Sequence, residues 1–232
     1  MFHQAPPAEV TQAPNQRQAE PLEAGAPQIY QQVRLLPVDE AQKNQSFFDF
    51  RQKLMLIIKN RDAASLIRLI RKDTELGFDG SMGQGAFVEW WHPGDPHSKL
   101  WVELQTVLQM GGAFDGEGNF VAPYVSARWP DQFDEFLNSA VIGKNVPCYP
   151  SPDSASKPFC MLSYEVVNSS VDDSNVEEFE KLDKQGWRKI ELWNGKVGYI
   201  RSQFLRSAID QRIYFAKDTH GDWFISAFVA GD

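Results

Sequence analysis

The sequence predicts an α+β protein with two folded units, a mainly helical α+β domain followed by a small β-barrel that carries a C-terminal β-hairpin. Two observations lead to this fold class. Apolar residues recur at helical spacing between residues 47 and 110. After Val141 they fall instead into short strand-like runs, and Asn194-Gly195 joins two of these runs. Asn-Gly between two apolar runs is the strongest short-range signal for a β-hairpin.

The N-terminal segment, residues 1–45, is rich in Pro, Ala, Gln and Glu. Prolines at this frequency cannot sustain a helix, and the segment offers almost nothing apolar to pack. It is therefore predicted to be a flexible lead into the folded part. Residues 29–37 are its only piece expected to dock on a core, because they combine aliphatic residues with a tyrosine.

The first unit, residues 46–140, owes its helices to apolar residues three and four positions apart. Asp62 is an expected N-cap for the second helix, and Gly111-Gly112 is an expected stop for the fourth. A short strand is expected at 74–78, an extended segment at 120–127 and a short helix at 131–137. The four main helices are predicted at 47–59, 63–71, 84–91 and 98–110.

The second unit, residues 141–232, is predicted to consist of short strands separated by residues that favour turns. Strands of this length and spacing are typical of a small β-barrel. The last two strands form the C-terminal hairpin. The predicted strands are 145–149, 159–167, 187–193, 196–201, 212–216 and 223–229.

Residues 146–205 resemble the bacterial SH3-like (SH3b) domain. The closing part of that family's pattern has a Trp, a turn Gly, a Gly-aromatic pair and a final Leu. The opening part has a Val-led strand that ends in a proline bend. The matching residues here are 146–152, 159–162, Val166-Val167, Trp187, Ile190, Asn194-Gly195, Gly198-Tyr199-Ile200 and Leu205.

The resemblance implies a barrel that binds a ligand and carries no catalytic residues. SH3-like modules of this kind generally bind cell-wall peptides or protein partners, so the expected function is that of a periplasmic or secreted binding protein. Aromatic side chains beside the long bend of such a barrel can line a groove for an extended peptide. The predicted binding residues are Tyr149, Tyr164, Trp187 and Tyr199, although Trp187 fits equally well in the barrel core.

Charge and targeting signals limit the remaining functions. The 232 residues include 23 basic and 31 acidic side chains, a net charge of -8, which argues against nucleic acid as a partner. The longest apolar run, 54–58, is far shorter than the roughly 20 residues that span a bilayer. Residues 1–27 show no apolar core of a signal peptide. Export therefore requires a signal missing from this sequence, and a cytoplasmic location stays open.

The two cysteines, Cys148 and Cys160, are twelve positions apart and form no CxxC motif, so a thiolate zinc site is excluded. Both occupy positions that the SH3-like pattern gives to core aliphatic residues. They can form one disulfide or remain two buried thiols, and a disulfide is the stronger expectation than catalysis by either sulfur.

A metal site and a cofactor are not predicted. Glu89, His92, Asp95 and His97 form the densest group of metal-ligating residue types, but prolines and a glycine between them indicate a solvated loop. The acidic turn that begins at Asp115 lacks the Gly and Glu positions of a calcium-binding EF-hand loop.

Charge is unevenly distributed along the chain. The first helices are locally basic, whereas residues 168–186, an insert in the SH3-like pattern, are strongly acidic. The insert could dock on the first unit, stay solvated, or meet a basic partner. The alternative function is therefore an inhibitor or immunity-type protein whose acidic insert blocks a partner enzyme. The sequence assigns no oligomeric state.

Overall fold

The computed structural model describes residues 32–169 and 176–231, and this part of the chain has the predicted α+β composition. Its helices are α1 (Gln45–Lys59), α2 (Ala63–Ile67), α3 (Gly83–Trp91), α4 (Leu100–Gln109), α5 (Tyr124–Ala127) and α6 (Val176–Lys184). Its first strands are β1 (Ile70–Glu75), β2 (Ala113–Phe114), β3 (Phe120–Ala122), β4 (Asn138–Val141), β5 (Val146–Cys148) and β6 (Cys160–Leu162). The later strands are β7 (Val166–Asn168), β8 (Trp187–Glu191), β9 (Val197–Arg201), β10 (Leu205–Arg206), β11 (Arg212–Lys217) and β12 (Trp223–Val229).

The first unit is built on a five-stranded sheet of order β1-β12-β11-β3-β2. The β11–β12 hairpin was predicted beside the barrel, but it lies in the middle of this sheet. Strand β12 pairs in parallel with β1, and β11 pairs antiparallel with β3. The physical reason is the apolar inner face of the hairpin. Ile213, Phe215, Ile225 and Phe228 are all buried in the core that α1 and α4 cover.

Helix α1 is amphipathic as predicted. Its N-cap, Asn44, accepts a hydrogen bond from Phe47 N, which satisfies one of the free amides of the first turn. The Phe47 ring is fully buried and lies 4.2 Å from the Phe120 ring and 4.9 Å from the Trp223 ring, measured between centroids. Burial of a phenylalanine side chain stabilises a fold by roughly 1.5–3 kcal/mol, so this residue ties α1 to the sheet.

Three local predictions differ from the structure. The second helix ends at Ile67, and β1 begins at Ile70, four residues before the predicted strand. Thr74 Oγ1 donates to Ile225 O (2.6 Å), so this part of the chain bonds to β12. Residues 120–127 divide into β3 and α5. Residues 131–137 form turns in place of the predicted helix, because Asp134 accepts the backbone N–H groups of Phe136 and Leu137.

The second unit contains β4 to β10 and α6, and among its described residues none of the sheets closes into the predicted barrel. Five strands form a sheet of order β10-β4-β7-β8-β9, and β5 and β6 form a separate pair. One bridge, between Tyr149 and Tyr199, connects that pair to β9. The predicted strand 159–167 is interrupted at Tyr164, where φ is +69°. The shared core contains Val141, Val146, Cys148, Leu162, Val167, Ile190, Leu192 and Ile200.

Residues 32–45 pack on both units, beyond the docking piece predicted at 29–37. Leu35 is buried, and its N–H donates to Tyr164 O (2.8 Å) in the second unit. Farther along, Glu40 N donates to Gly112 O (2.9 Å) in the first unit. Residues 1–31 of the predicted flexible segment lie outside the described residues.

Within residues 32–169 and 176–231, no helix is both long enough and apolar enough to cross a lipid bilayer.

Candidate binding site

Three of the four predicted binding residues lie together on the second unit. The Tyr149 ring meets the Trp187 ring edge-on at 5.5 Å, and the backbones of Tyr149 and Tyr199 form a β-bridge. Arg201 covers Trp187 from another direction, with its guanidinium carbon 4.1 Å from the ring centroid. Because Trp187 is only 3% exposed, it supports this cluster from beneath and offers no ring face to a ligand.

Tyr164, the fourth predicted residue, has different neighbours. Its N–H donates to Gly143 O (3.2 Å), and its carbonyl accepts from Leu35 N. Its phenol influences Tyr124, whose pKa is raised to about 12, chiefly by burial and secondly by the charge of Tyr164. Tyr164 therefore belongs to the junction between residues 32–40 and the second unit.

The two cysteines are free thiols that face each other across the β5–β6 ladder. Cys148 and Cys160 are register partners, the first buried and the second partly buried. Burial raises the pKa of the Cys148 thiol to about 12, and burial also raises the pKa of Cys160. Because a nucleophilic cysteine needs an accessible thiolate, this environment suits a structural role.

The acidic insert is partly neutralised within its own unit. Helix α6 packs on β8, where Glu178 pairs with Lys189 (3.0 Å) and Asp183 pairs with Arg188 (3.1 Å). Asp172 and Asp173, two further acids of the insert, lie outside the described residues. Among the described residues, no group of three or more His, Cys, Asp and Glu side chains could hold a metal ion.

A second candidate site, missed in the sequence, lies where the carboxyl ends of β1 and β12 meet. These strands are parallel, so the loops that follow them emerge at the same sheet edge. A hollow of about 400 Å³ is lined there by residues 76–79 after β1, Trp90 and Trp91 of α3, Gln211, and Ala230 after β12. Phe78 is 56% exposed and Trp90 is 47% exposed, which is unusual for large aromatic residues.

An adjoining hollow of about 380 Å³ shares Trp91 and Gln211 with the first. It lies at the junction of the two units, because it takes residues from α4 and from β10. We call the two hollows together the seam groove. The second hollow is lined by Trp91, Lys99, Glu103, Arg206, Asp210 and Gln211.

The first hollow depends on Gly77. A Cβ atom at this position would lie 3.1 Å from Trp90 Cη2 and 3.0 Å from Asp79 Oδ1. A glycine therefore lets the backbone pass close to the indole ring and leaves space above it. The Arg212 guanidinium lies over the Phe78 ring, 5.6 Å from its centroid. The aromatic rings are thus held by packing and by cation–π contact.

Two side-chain donors buried in the wall of the seam groove have no hydrogen-bond partner among the residues that the structure describes. Arg206 Nη2 pairs with Glu103 Oε1 (3.3 Å) and donates to Gln211 O, but its Nε is buried without a partner. Gln211 Nε2 is buried without a partner as well. Buried donors are normally satisfied, so two unsatisfied ones in one groove wall are an uncommon feature of a folded protein.

Parts of this site had a signal in the sequence. Two adjacent tryptophans cannot both face the core from one helix, because successive side chains point about 100° apart. One of Trp90 and Trp91 was therefore bound to be exposed. Phe78 between Gly77 and the Asp79-Gly80 turn was a second signal. No sequence signal indicated that Arg206 and Gln211 line this site, because their placement depends on which sheet the terminal hairpin joins.

Comparisons with protein-family models, with curated proteins and with solved structures find no match to this chain.

Proposed function

We propose that the protein is a non-enzymatic binding protein that holds an extended peptide segment in the seam groove. The observation that carries this proposal is the pair of exposed aromatic residues, Phe78 and Trp90, that line one hollow beside Gly77. Aromatic surface of this kind binds apolar side chains, and amphipathic rings are enriched where proteins recognise partners.

The polar part of the groove fits the backbone of the same ligand. Lys99 supplies a donor and Asp210 supplies an acceptor, and the Arg206–Glu103 pair forms the wall between them. An extended peptide offers alternating N–H and C=O groups together with side chains on alternate faces. Donors and acceptors beside an aromatic platform therefore match a peptide better than a purely anionic or purely apolar ligand.

The chemistry of the lining residues favours binding over catalysis. In the described part of the chain, no Ser, Thr, Cys or His side chain lines the two hollows. Covalent catalysis by an activated hydroxyl or thiol would need one of these next to a base. The carboxylate of Glu103 is already committed to Arg206.

The SH3-like nature of the second unit remains part of the proposal. It is supported by the antiparallel β8–β9 hairpin around Asn194-Gly195 and by the β5 bridge to β9. On that basis the peptide is a cell-wall peptide or a segment of a partner protein. The envelope location and the inhibitor alternative stay predictions.

The test is a binding screen against an array of unmodified peptides, together with co-sedimentation with purified cell wall. For the strongest binder, Trp90→Ala and Phe78→Ala should each weaken the affinity by about tenfold, the scale of an aromatic hot spot. Met161→Ala is the matched control, because Met161 is 57% exposed and does not line the groove.

Equal affinity of Trp90→Ala and the wild-type protein would overturn the proposal. Loss of binding in Tyr149→Ala with retention in Trp90→Ala would move the site to the aromatic cluster of the second unit and would equally exclude the seam groove.

A further inference from the structure

Helices α1 and α4 lie side by side in opposite directions and form a second groove. Arg51 Nη2, in the middle of α1, donates to Leu108 O near the end of α4 (2.6 Å). Arg61, just beyond α1, donates through Nη1 to Pro96 O, just before α4. Two contacts in this order fix the antiparallel arrangement. The face of this helix pair that points away from the sheet contains a groove of about 370 Å³.

The floor of this helical groove is apolar and partly uncovered. Its apolar lining comes from Met55, Leu56, Ile58, Trp101 and Val102. Leu56 is 59% exposed and Val102 is 62% exposed, although both belong to helices whose other apolar faces are buried. Both residues therefore add exposed apolar surface to the same groove, and exposed apolar surface gathered in a groove is typical of interaction sites.

The rim of the groove is basic. Lys59 and Arg61 line it together with three glutamines, and none of the lining residues described is Asp or Glu. The chain as a whole carries a net charge of -8, so the positive charge of this rim is opposite in sign to the net charge of the protein. A basic rim around an apolar floor repels basic partners and attracts acidic ones.

We propose that this groove binds an acidic amphipathic helix of a partner protein. A helix is the expected form because a third helix packs naturally along two antiparallel ones, with apolar side chains at i, i+3/i+4 and i+7 entering the groove. The ten residues of α4 give the groove a length of about 15 Å, or nearly three helical turns. Acidic side chains on the flank of the bound helix would lie beside Lys59 and Arg61.

This surface is separate from the seam groove, because the two share no lining residue. The inference therefore does not depend on the proposed peptide site. A partner protein bound at α1 and α4 would leave Phe78 and Trp90 open to a peptide.

The probe is a synthetic helical peptide with leucines at the groove-facing positions and glutamates elsewhere. Its controls are the same composition in scrambled order and the same helix with lysine in place of glutamate. Binding is followed by the methyl NMR signals of Leu56 and Val102 in the full chain. We expect saturable shifts with the acidic helix, weakened by added salt, and none with either control.

Variants separate the groove from the rest of the surface. Val102→Glu should weaken binding of the acidic helix by about tenfold or more, and Lys59→Glu by several-fold. Val88→Glu is the matched control because Val88 is 41% exposed on α3 and does not line the groove. Each variant is first shown to melt as the wild type does.

Absence of saturable shifts would overturn the proposal, and so would equal binding of the acidic and basic helices. Equal weakening by Val88→Glu and Val102→Glu would also overturn it, because binding would then not be localised to the groove.

Discussion

The Arg206 guanidinium lies 3.3 Å from the Glu103 carboxylate and joins β10 of the second unit to α4 of the first. The Arg206 side chain is only 11% exposed, and the same Nη2 atom donates to Gln211 O before β11. One side chain thus connects the second unit, the helical layer and the terminal hairpin. The wall of the seam groove is built on this connection.

Arg206→Ala should destabilise the protein by about 2 kcal/mol, because it leaves the Glu103 carboxylate and the Gln211 carbonyl without their donor. Chemical denaturation followed by circular dichroism measures this difference. Lys184→Ala is the control, since Lys184 pairs with Glu180 in an exposed i,i+4 arrangement and should change stability by less than about 0.5 kcal/mol. Similar losses of unfolding free energy in both variants would contradict the conclusion that Arg206 stabilises the junction of the two units.

Gly77→Ala should impair peptide binding in the seam groove while the protein remains folded. The added methyl group would press on Trp90 Cη2 and Asp79 Oδ1, so the indole must tilt and the first hollow must narrow. Gly85→Ala is the matched control, because no atom of the described residues lies within 4 Å of its Cβ position in α3. That variant should raise stability by about 0.5–1 kcal/mol through helix propensity. Isothermal titration with the selected peptide compares the two, and unchanged affinity in Gly77→Ala would contradict the role of this glycine.

Cys148 and Cys160 should join in a disulfide when the native protein is incubated with diamide at alkaline pH, where the less buried Cys160 can supply the attacking thiolate. Directly opposed residues of an antiparallel pair have Cα atoms about 4.5–5.5 Å apart, within the range of about 4.4–6.8 Å that a disulfide spans. Mass spectrometry should detect the loss of two hydrogen atoms, and Cys160→Ser should abolish it.

Without oxidant, Cys148 should resist alkylation by iodoacetamide near neutral pH until the protein is unfolded. Burial raises the pKa of this thiol to about 12, so the folded state holds almost no thiolate. Rapid labelling of Cys148 in the native protein would contradict the burial and the raised pKa of this thiol.

Acid should weaken the fold through two carboxylates. The side chain of Lys43 lowers the pKa of Glu40 to about 2, and the side chain of Arg71 lowers that of Asp218 to about 2. The unfolded chain binds these protons at higher pH than the folded chain does. The stabilisation is therefore present above about pH 4 and is lost as the pH falls toward about 2.

Urea unfolding at a series of acidic pH values measures that loss. Asp218→Asn with Glu40→Gln should flatten the dependence of the unfolding free energy on pH. The acid response of Asp62→Asn is measured for comparison. Asp62 is the N-cap of α2, and its hydrogen bonds with Ser65 lower the pKa of its carboxyl group. A double variant with the same acid response as wild type would contradict the assignment.

Local structure was largely predictable from the sequence. The apolar periodicity around Phe47 and Leu54 predicted α1, and Asn194-Gly195 predicted the β8–β9 hairpin, and both predictions are confirmed. The start of β1 could not be predicted, because Leu66 and Ile70 have helical spacing and only pairing with β12 makes Ile70 a strand residue. At Ile70, pairing with the neighbouring strand decides the backbone conformation, and the local sequence preference does not.

Long-range pairing was less predictable. The alternating apolar residues of the terminal hairpin fit any sheet with an open edge, so its sequence did not specify which sheet it joins. The seam groove depends on that pairing, because Gln211 and Ala230 flank the hairpin. The sequence also could not decide the role of Trp187. An aromatic residue at this position of the SH3-like pattern is equally suited to a binding surface and to a core.

The position of β11 and β12 sets the order in which this chain can fold during synthesis. The two strands are made after the whole second unit, yet they lie between β1 and β3. Until they emerge from the ribosome, Phe47 and Phe120 lack the partners Phe215 and Trp223 that complete their core. Nascent chains stalled before residue 212 should therefore be sensitive to protease in the first unit, and that unit should become resistant only after the hairpin has emerged. Expression of residues 32–140 alone should likewise yield an incomplete core that a separate hairpin peptide could restore.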